Sequence, residues 1–241
     1  MIFNIFKSKP TLKQLIPDGY VDIHSHILPG IDDGAKNIDK SAEMISKIKS
    51  MGFSKIIGTP HTYPGLYENT TESIKNSYES LVSQISDDIS ISYASEYMLE
   101  KSIIEKSRKK NLLCLKDNYI LIEMSFISEP IGLFDIIYEI KVNGYSPILA
   151  HPERYLFYDS INDYYKLKKF GCLFQANLLS TVDYYGKNVR KKLDNLIEHK
   201  LIDFSGSDIH NIRHINAFEN KVRSIKIDEL NVIIENNNIF K

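Results

Sequence analysis

The sequence predicts an α/β protein closed into a seven-stranded (β/α) barrel, and three observations predict it. Short apolar runs alternate with longer amphipathic ones along the whole chain, the pattern of parallel strands joined by right-handed helical crossovers. No Gly/Ser- or Pro-rich linker and no repeat of fixed period divides the 241 residues. Six of the seven strand candidates end in a potential metal ligand. A closed barrel brings all strand C-termini to one face, whereas an open sheet spreads them along a line.

In chain order, residues 1–19 form an N-terminal arm ahead of a single domain over 20–241. The first strand, 20–24 (YVDIH), ends in His24, with His26 two residues on and Asp32-Asp33-Gly34 in the following loop. A helix over 38–51 leads to a strand at 55–60 (KIIGTP), which runs into His61. Asn69-Thr70-Thr71-Glu72 has the spacing of a capping box and opens a helix over 70–86. The strand 90–96 (SISYASE) ends in Glu96, a helix follows at 100–110, and the strand 119–124 (YILIEM) carries Glu123. A helix over 131–143 stops at Gly144, where a left-handed residue is needed, and the strand 146–150 (SPILA) runs into His151. After a helix at 161–170, the strand 172–176 (CLFQA) is the exception, running out into Gln175 and Asn177. A helix over 187–199 and a strand over 201–206 (LIDFSG) lead to Asp208 and His210, and more helix follows 214.

Composition narrows the class of function. Hydrophobic content of 43% with 25% charged residues excludes disorder as the main state. Lys+Arg 30 against Asp+Glu 31 leaves a formal charge of −1, with no basic surplus for nucleic acid. No apolar stretch approaches the ~20 residues of a membrane span. The opening Met-Ile-Phe-Asn-Ile-Phe is too short for a signal-peptide core, so a cytoplasmic chain without stable membrane insertion is expected. Cys114 and Cys172 lie in apolar runs and read as core thiols; neither has an arginine six positions on, which excludes the cysteine-phosphatase loop. There is no Gly-x-Ser-x-Gly elbow and no Gly-x-x-x-x-Gly-Lys phosphate loop.

Side chains two apart on a strand share a face, so His24 and His26 point the same way. Taken singly, each histidine is more often a hydrogen-bonded or surface residue. Taken together, five imidazoles and four carboxylates at one barrel end leave unpaired buried charge unless cations neutralise it. Mixed imidazole and carboxylate ligands suit Mn, Fe or Zn, and the lack of thiolates argues against a structural zinc knot. Nine ligands are too many for one ion and many for two; three divalent ions outweigh the four carboxylates and suit an anionic substrate such as a phosphate ester. Arg154, in His-Pro-Glu-Arg, and Arg213, three residues after His210, are candidates to grip phosphate oxygens.

The ordered set DIHSHILPGIDDGAKN, TPH, SEY, LIEM, AHPER and SDIH resembles the polymerase-and-histidinol-phosphatase (PHP) superfamily. Within it, the set is most similar to the metal-dependent tyrosine phosphatases of bacterial capsular and exopolysaccharide operons, from Asp22 to His210. The resemblance implies a distorted, TIM-like (β/α)7 barrel of PHP type with a three-metal centre, usually manganese, with iron, zinc or magnesium as alternatives. It implies His24, His26, Asp33, His61, Glu96, Glu123, His151, Asp208 and His210 as ligands, with Glu96 as a bridge and Asp33 preferred to Asp32. Arg154 matches the phosphate-binding arginine, while IHNIRHINAF is not a close match and leaves Arg213 or His214 open as a second substrate contact. The implied reaction is hydrolysis of phosphotyrosine on the tyrosine-rich tail of a membrane-associated tyrosine autokinase that regulates polysaccharide synthesis. Alternatives are a histidinol-phosphate or nucleotide phosphatase, a metal amidohydrolase, and a non-catalytic kinase-binding module.

Overall fold

Nine strands run through the structure, a computed structural model that describes residues 9–85 and 89–241. They are β1 (Tyr20–Ser25), β2 (Phe53–Gly58), β3 (His61–Thr62), β4 (Ser90–Tyr93), β5 (Glu96–Met98), β6 (Tyr119–Glu123), β7 (Ser146–Ala150), β8 (Leu173–Asn177) and β9 (Phe204–Gly206). Every pairing between them is parallel, in the orders β1-β2-β4 and β3-β5-β6-β7-β8-β9.

The nine strands are seven barrel positions, because two of the predicted strands are interrupted. Pro60 has no N–H to give a ladder, and the chain breaks between β2 and β3 at Thr59-Pro60. The neighbouring chain breaks in step, between β4 and β5. Ala94 N donates to Gly58 O at 2.8 Å and Glu96 N to Pro60 O at 3.1 Å, so the two kinked strands stay together. Each break falls just before a candidate ligand, His61 or Glu96, and the register then sets these two opposite each other. β1 and the segment after β9 complete the ring: Asp208 N donates to His24 O (2.8 Å), His26 N donates to Ile209 O (2.9 Å), and Ser25 bridges Ile209.

The helices are α1 (Leu12–Leu15), α2 (Ile38–Lys49), α3 (Thr71–Val82), α4 (Ser102–Arg108), α5 (Leu133–Val142), α6 (Ile161–Lys169), α7 (Lys187–Glu198), α8 (Ile212–Asn216) and α9 (Ile227–Asn236). Each longer one buries a single stripe; α5 turns Leu133, Ile136, Ile137 and Ile140 inward at helical spacing. The capping box of α3 sits one residue later than the sequence predicted, on Thr70 and Ser73. Asn69 is diverted: its Nδ2 donates to Ile31 O and His61 O, both at 2.8 Å, and ties the β3 end to the loop after β1.

Inside the ring, Val21, Ile23, Ile57, Leu121, Ile148 and Phe204 pack together. Phe240, from the last turn of the chain, fills the end of this core beside Tyr119 and Phe204. Buried Asn237 anchors that turn by donating to Val21 O and Ser205 O, both at 2.8 Å. The barrel is therefore plugged at the strand N-termini, which leaves the C-terminal face for chemistry. The described part of the arm, residues 9–19, packs on the outer wall: Leu12 is fully buried, its N–H donates to Asn220 O, and Val222 N donates to Pro10 O. Residues 1–8 of the arm and the predicted helix end at 86 lie outside the described residues. Cys172 is buried, which pushes its thiol up to about 12, and half-buried Cys114 is also raised by burial; both are free. Among the described residues no helix is long and apolar enough to cross a membrane.

Candidate active site

A shift in the β1–β2 register between Asp22 and Ser25 marks a bulge at the segment carrying His24, a device that re-aims a side chain. His24 and His26 consequently meet, with their Nε2 atoms 3.3 Å apart. Strand-end geometry gathers the remaining candidates. Four overlapping sets, each with one donor atom per residue within 4.8 Å of the others, together contain all nine predicted ligands: His26/Asp33/His61/His210, His24/His26/Glu96, His24/His151/Asp208 and His61/Glu96/Glu123. Two of the residues hold left-handed backbone, His151 at φ 37° and Asp208 at φ 52°, conformations that non-glycine residues adopt at a cost and that concentrate at active sites.

Glu96 is central. Its Oε2 lies 3.2 Å from His24 Nε2, 3.5 Å from His26 Nε2 and 3.1 Å from His61 Nδ1, and its Oε1 lies 3.1 Å from His151 Nε2. His61 Nδ1 is also 2.9 Å from Glu123 Oε1. Even so, buried His61 Nδ1, Glu96 Oε2 and His151 Nδ1 have no hydrogen-bond partner. Lone pairs that converge without pairing are the arrangement a cation fits, and the mixed N/O donor set suits a divalent ion.

The other ring nitrogens are occupied from behind. His24 Nδ1 meets Gln175 Oε1 at 2.8 Å, and the Gln175 amide is oriented by its own bond to Ala176 O. His26 Nδ1 meets Asp32 Oδ2 at 2.7 Å, and His210 Nδ1 donates to Asp208 O at 2.9 Å. Each contact leaves Nε2 to face the cluster, the usual way a supporting shell orients imidazole ligands. Asp32 also accepts from Gly34 N and His61 N. A side chain at Gly34 would place Cβ 2.1 Å from His26 O, so the loop closes on His26 only with glycine there. The two adjacent aspartates thus divide: Asp32 is buried behind His26, while Asp33, 54% exposed, reaches His61 and His210 at 3.5 and 3.4 Å.

Charge sharing sets the ionisation of the cluster. Burial pulls the His61 imidazole down, but Glu96 and Glu123 together outweigh it and raise the ring to about 10. Burial alone would raise Glu96 and Asp208; the imidazoles of His24, His61 and His210 instead hold both carboxyls well below the usual range. Asp33 falls to about 2 because His210 and His61 outweigh its burial. His151 goes the other way, to about 4, through burial and the neighbouring Arg154.

Arg154 leaves the short 3-10 turn after β7 and donates from Nη1 to Asp208 Oδ2 at 2.9 Å. Its guanidinium lies between two rings, 4.4 Å from the Phe126 centroid and 4.2 Å from that of Tyr185. Asn177 Nδ2 donates to the same Asp208 oxygen at 2.8 Å, so the strand lacking a ligand supplies supports at both Gln175 and Asn177. Arg154 lines a cleft of about 280 Å³ with Asp33, His61, Glu123, His151, Asp208 and His210. Arg213 is exposed and lines a neighbouring groove with Lys36 and Lys40 instead; Asn211 caps α8 and brings His214, not Arg213, into the cleft. Sequence reasoning missed Phe126 and Tyr185, which carry no periodic signal, and took Asp32 only as a rival to Asp33.

The chain is similar to proteins already known. Tyrosine-protein phosphatase YwqE of Bacillus subtilis (strain 168) is 33% identical over 201 residues, covering 81% of this chain and 79% of the relative. Tyrosine-protein phosphatase CpsB of Streptococcus pneumoniae is 29% identical over 205 residues, covering 80% and 83%. A crystal structure from work on these two proteins, described as unique metal-dependent tyrosine phosphatases, superposes with a TM-score of 0.80 at 28% identity, covering 91% of this chain and 93% of that one. A phosphotriesterase homology protein from Escherichia coli shares the fold, with a TM-score of 0.54 at 14% identity. Residues 20–225 match the family described as capsular polysaccharide synthesis, CpsB/CapC, and the chain belongs to that family.

Proposed function

We propose that this chain is a metal-dependent phosphotyrosine-protein phosphatase acting in the cytoplasm on the tyrosine-rich tail of a membrane-associated autokinase. The observation that carries this reading is the convergence of nine imidazole and carboxylate donors beside a clamped arginine in one cleft. His24, His26, Asp33, His61, Glu96, Glu123, His151, Asp208 and His210 would hold three divalent cations, manganese foremost. When bound, the cations supply Lewis acidity to phosphoryl oxygens and make water acidic enough to attack near neutral pH. Arg154 grips the remaining phosphoryl oxygen with the part of its fork that Asp208 leaves free. Asp208 fixes Arg154 through one oxygen and faces His24 through the other, which couples the arginine to the donor cluster. A phenol leaves readily, its pKa being about 10, so the cleft needs no strong general acid. Residues 20–241 act as the catalytic domain, with the arm fastened to its wall.

The direct test is metal content per chain together with turnover of a phosphotyrosyl peptide. Three ions and turnover abolished by a chelator are expected; undiminished turnover in chelator, or histidinol phosphate outrunning the peptide, defeats the reading. Two further outcomes follow from the geometry. His61, raised to about 10, carries its proton at neutral pH in the cation-free protein, so loading a cation must expel it. Cation affinity should therefore rise between about pH 6 and 8 with measurable proton release, read by titration calorimetry in buffers of different ionisation enthalpy. Asp32→Asn should weaken Mn²⁺ binding about 10- to 100-fold, read by titration calorimetry, because it removes the carboxylate that orients His26 while the retained amide oxygen can still accept from Gly34 N.

A further inference from the structure

We infer that Phe126 is a specificity-determining residue that reads the aryl ring of the phosphate ester; the inference rests on the phosphatase reading and deepens it. Phe126 lies in the loop between β6 and α5, on the barrel face that carries the cleft. Its ring has three neighbours. The Arg154 guanidinium carbon lies 4.4 Å from its centroid, the His151 ring lies 5.6 Å away, and it stacks on Tyr155 at 5.9 Å with an interplanar angle of 27°. Tyr155 is fully buried, and its hydroxyl accepts from Met124 N at 3.0 Å, which pins the backbone two residues before Phe126. Despite these contacts Phe126 remains 48% exposed. A large apolar side chain fixed in place keeps half its surface uncovered, in a cleft otherwise lined mainly by charged and polar groups, and that open part lacks a partner.

The chemistry of the substrate supplies that partner. In an aryl phosphate the ring is separated from phosphorus by a single oxygen. A phosphoryl group gripped by Arg154 therefore brings the ring to the aromatic side chain that already stacks on the guanidinium. An alkyl ester at the same position presents a tetrahedral carbon with no face to stack. Tyr185, the other ring in contact with Arg154, is less available: it is partly buried, and its hydroxyl takes an N–H from Asn177. Arg154 keeps its Asp208 bond and its Tyr185 contact when Phe126 is changed, so the two roles separate experimentally.

The test compares Mn²⁺-loaded wild-type protein with Phe126→Leu and Phe126→Tyr. The substrates are p-nitrophenyl phosphate, a phosphotyrosyl peptide and β-glycerophosphate. In Phe126→Leu the aryl-over-alkyl ratio of kcat/KM should fall about fivefold, through KM of the aryl substrates, and Phe126→Tyr should restore it. Calorimetry gives a readout without turnover: a non-hydrolysable phosphonomethyl-phenylalanine peptide should lose more affinity in Phe126→Leu than inorganic phosphate does. Equal losses for aryl, alkyl and inorganic phosphate would make Phe126 a brace for Arg154 and overturn the inference. Wild-type protein that cleaves no phosphate ester would remove the phosphatase reading itself, an outcome visible before any variant is compared.

Discussion

Glu96→Gln should reduce phosphotyrosyl-peptide turnover about a thousandfold or more while leaving the barrel folded. The change keeps the size and shape of the side chain and removes one negative charge at the point where four imidazoles meet. Glu96 belongs to two of the four donor sets, so its neutralisation weakens cation binding at more than one position. The amide also replaces one acceptor oxygen with an N–H₂ group, which donates hydrogen bonds and cannot ligate a cation. Elemental analysis should find fewer than three ions per chain. Far-ultraviolet circular dichroism should match wild type, because Glu96 N, which holds Pro60 O, is untouched. Full metal content with full turnover would remove Glu96 from the proposed centre.

Arg154→Ala should lower kcat/KM about 10²- to 10³-fold, the range found when a charged or oriented group is removed from a developing oxyanion. The loss should appear in kcat and in inhibition by inorganic phosphate together, since the same fork would meet the phosphoryl group before and during reaction. Arg154→Lys should recover only part of it. An ammonium keeps the charge but neither spans two oxygens nor fills the slot between Phe126 and Tyr185 as a flat plane. Asp208 loses its 2.9 Å partner in the alanine variant, yet Asn177 still donates to the same oxygen. A variant with unchanged phosphate inhibition would show that the anion is held elsewhere in the cleft.

The strand ends were legible in the sequence because chemistry and topology gave the same answer there: ligand-type residues followed apolar runs at nearly every turn from strand to helix. His24 and His26 through His210 are brought into four interlocking sets at one barrel face, and the alternation of strands and helices is that of the fold. What escaped was support and orientation. Gln175 and Asn177 looked like an exception because an amide is no usual ligand, although an amide is well suited to fix an imidazole or a carboxylate from behind. Arg213 and His214 are neighbours in sequence, and only the cap on Asn211 decides which of them enters the cleft. The α3 cap slipped by one because Asn69 and Thr70 both offer an oxygen at workable spacing, and Asn69 is held away by its Nδ2 donating to Ile31 O and His61 O. Phe126 could not be read at all, since a lone phenylalanine in a loop has the same appearance whether it faces solvent or an arginine.

The ring closes by joining its first strand to the segment after its last: His24 O accepts from Asp208 N, and His26 N donates to Ile209 O. On the ribosome these two halves emerge far apart in time, because nearly the whole barrel must be synthesised between them. His24 and His26 leave the exit tunnel early but cannot gain Asp208 and His210 until the segment that carries those two is free. Nascent and prematurely terminated products therefore carry an incomplete set of donors. The donor cluster assembles only once the segment carrying Asp208 and His210 has joined the first strand.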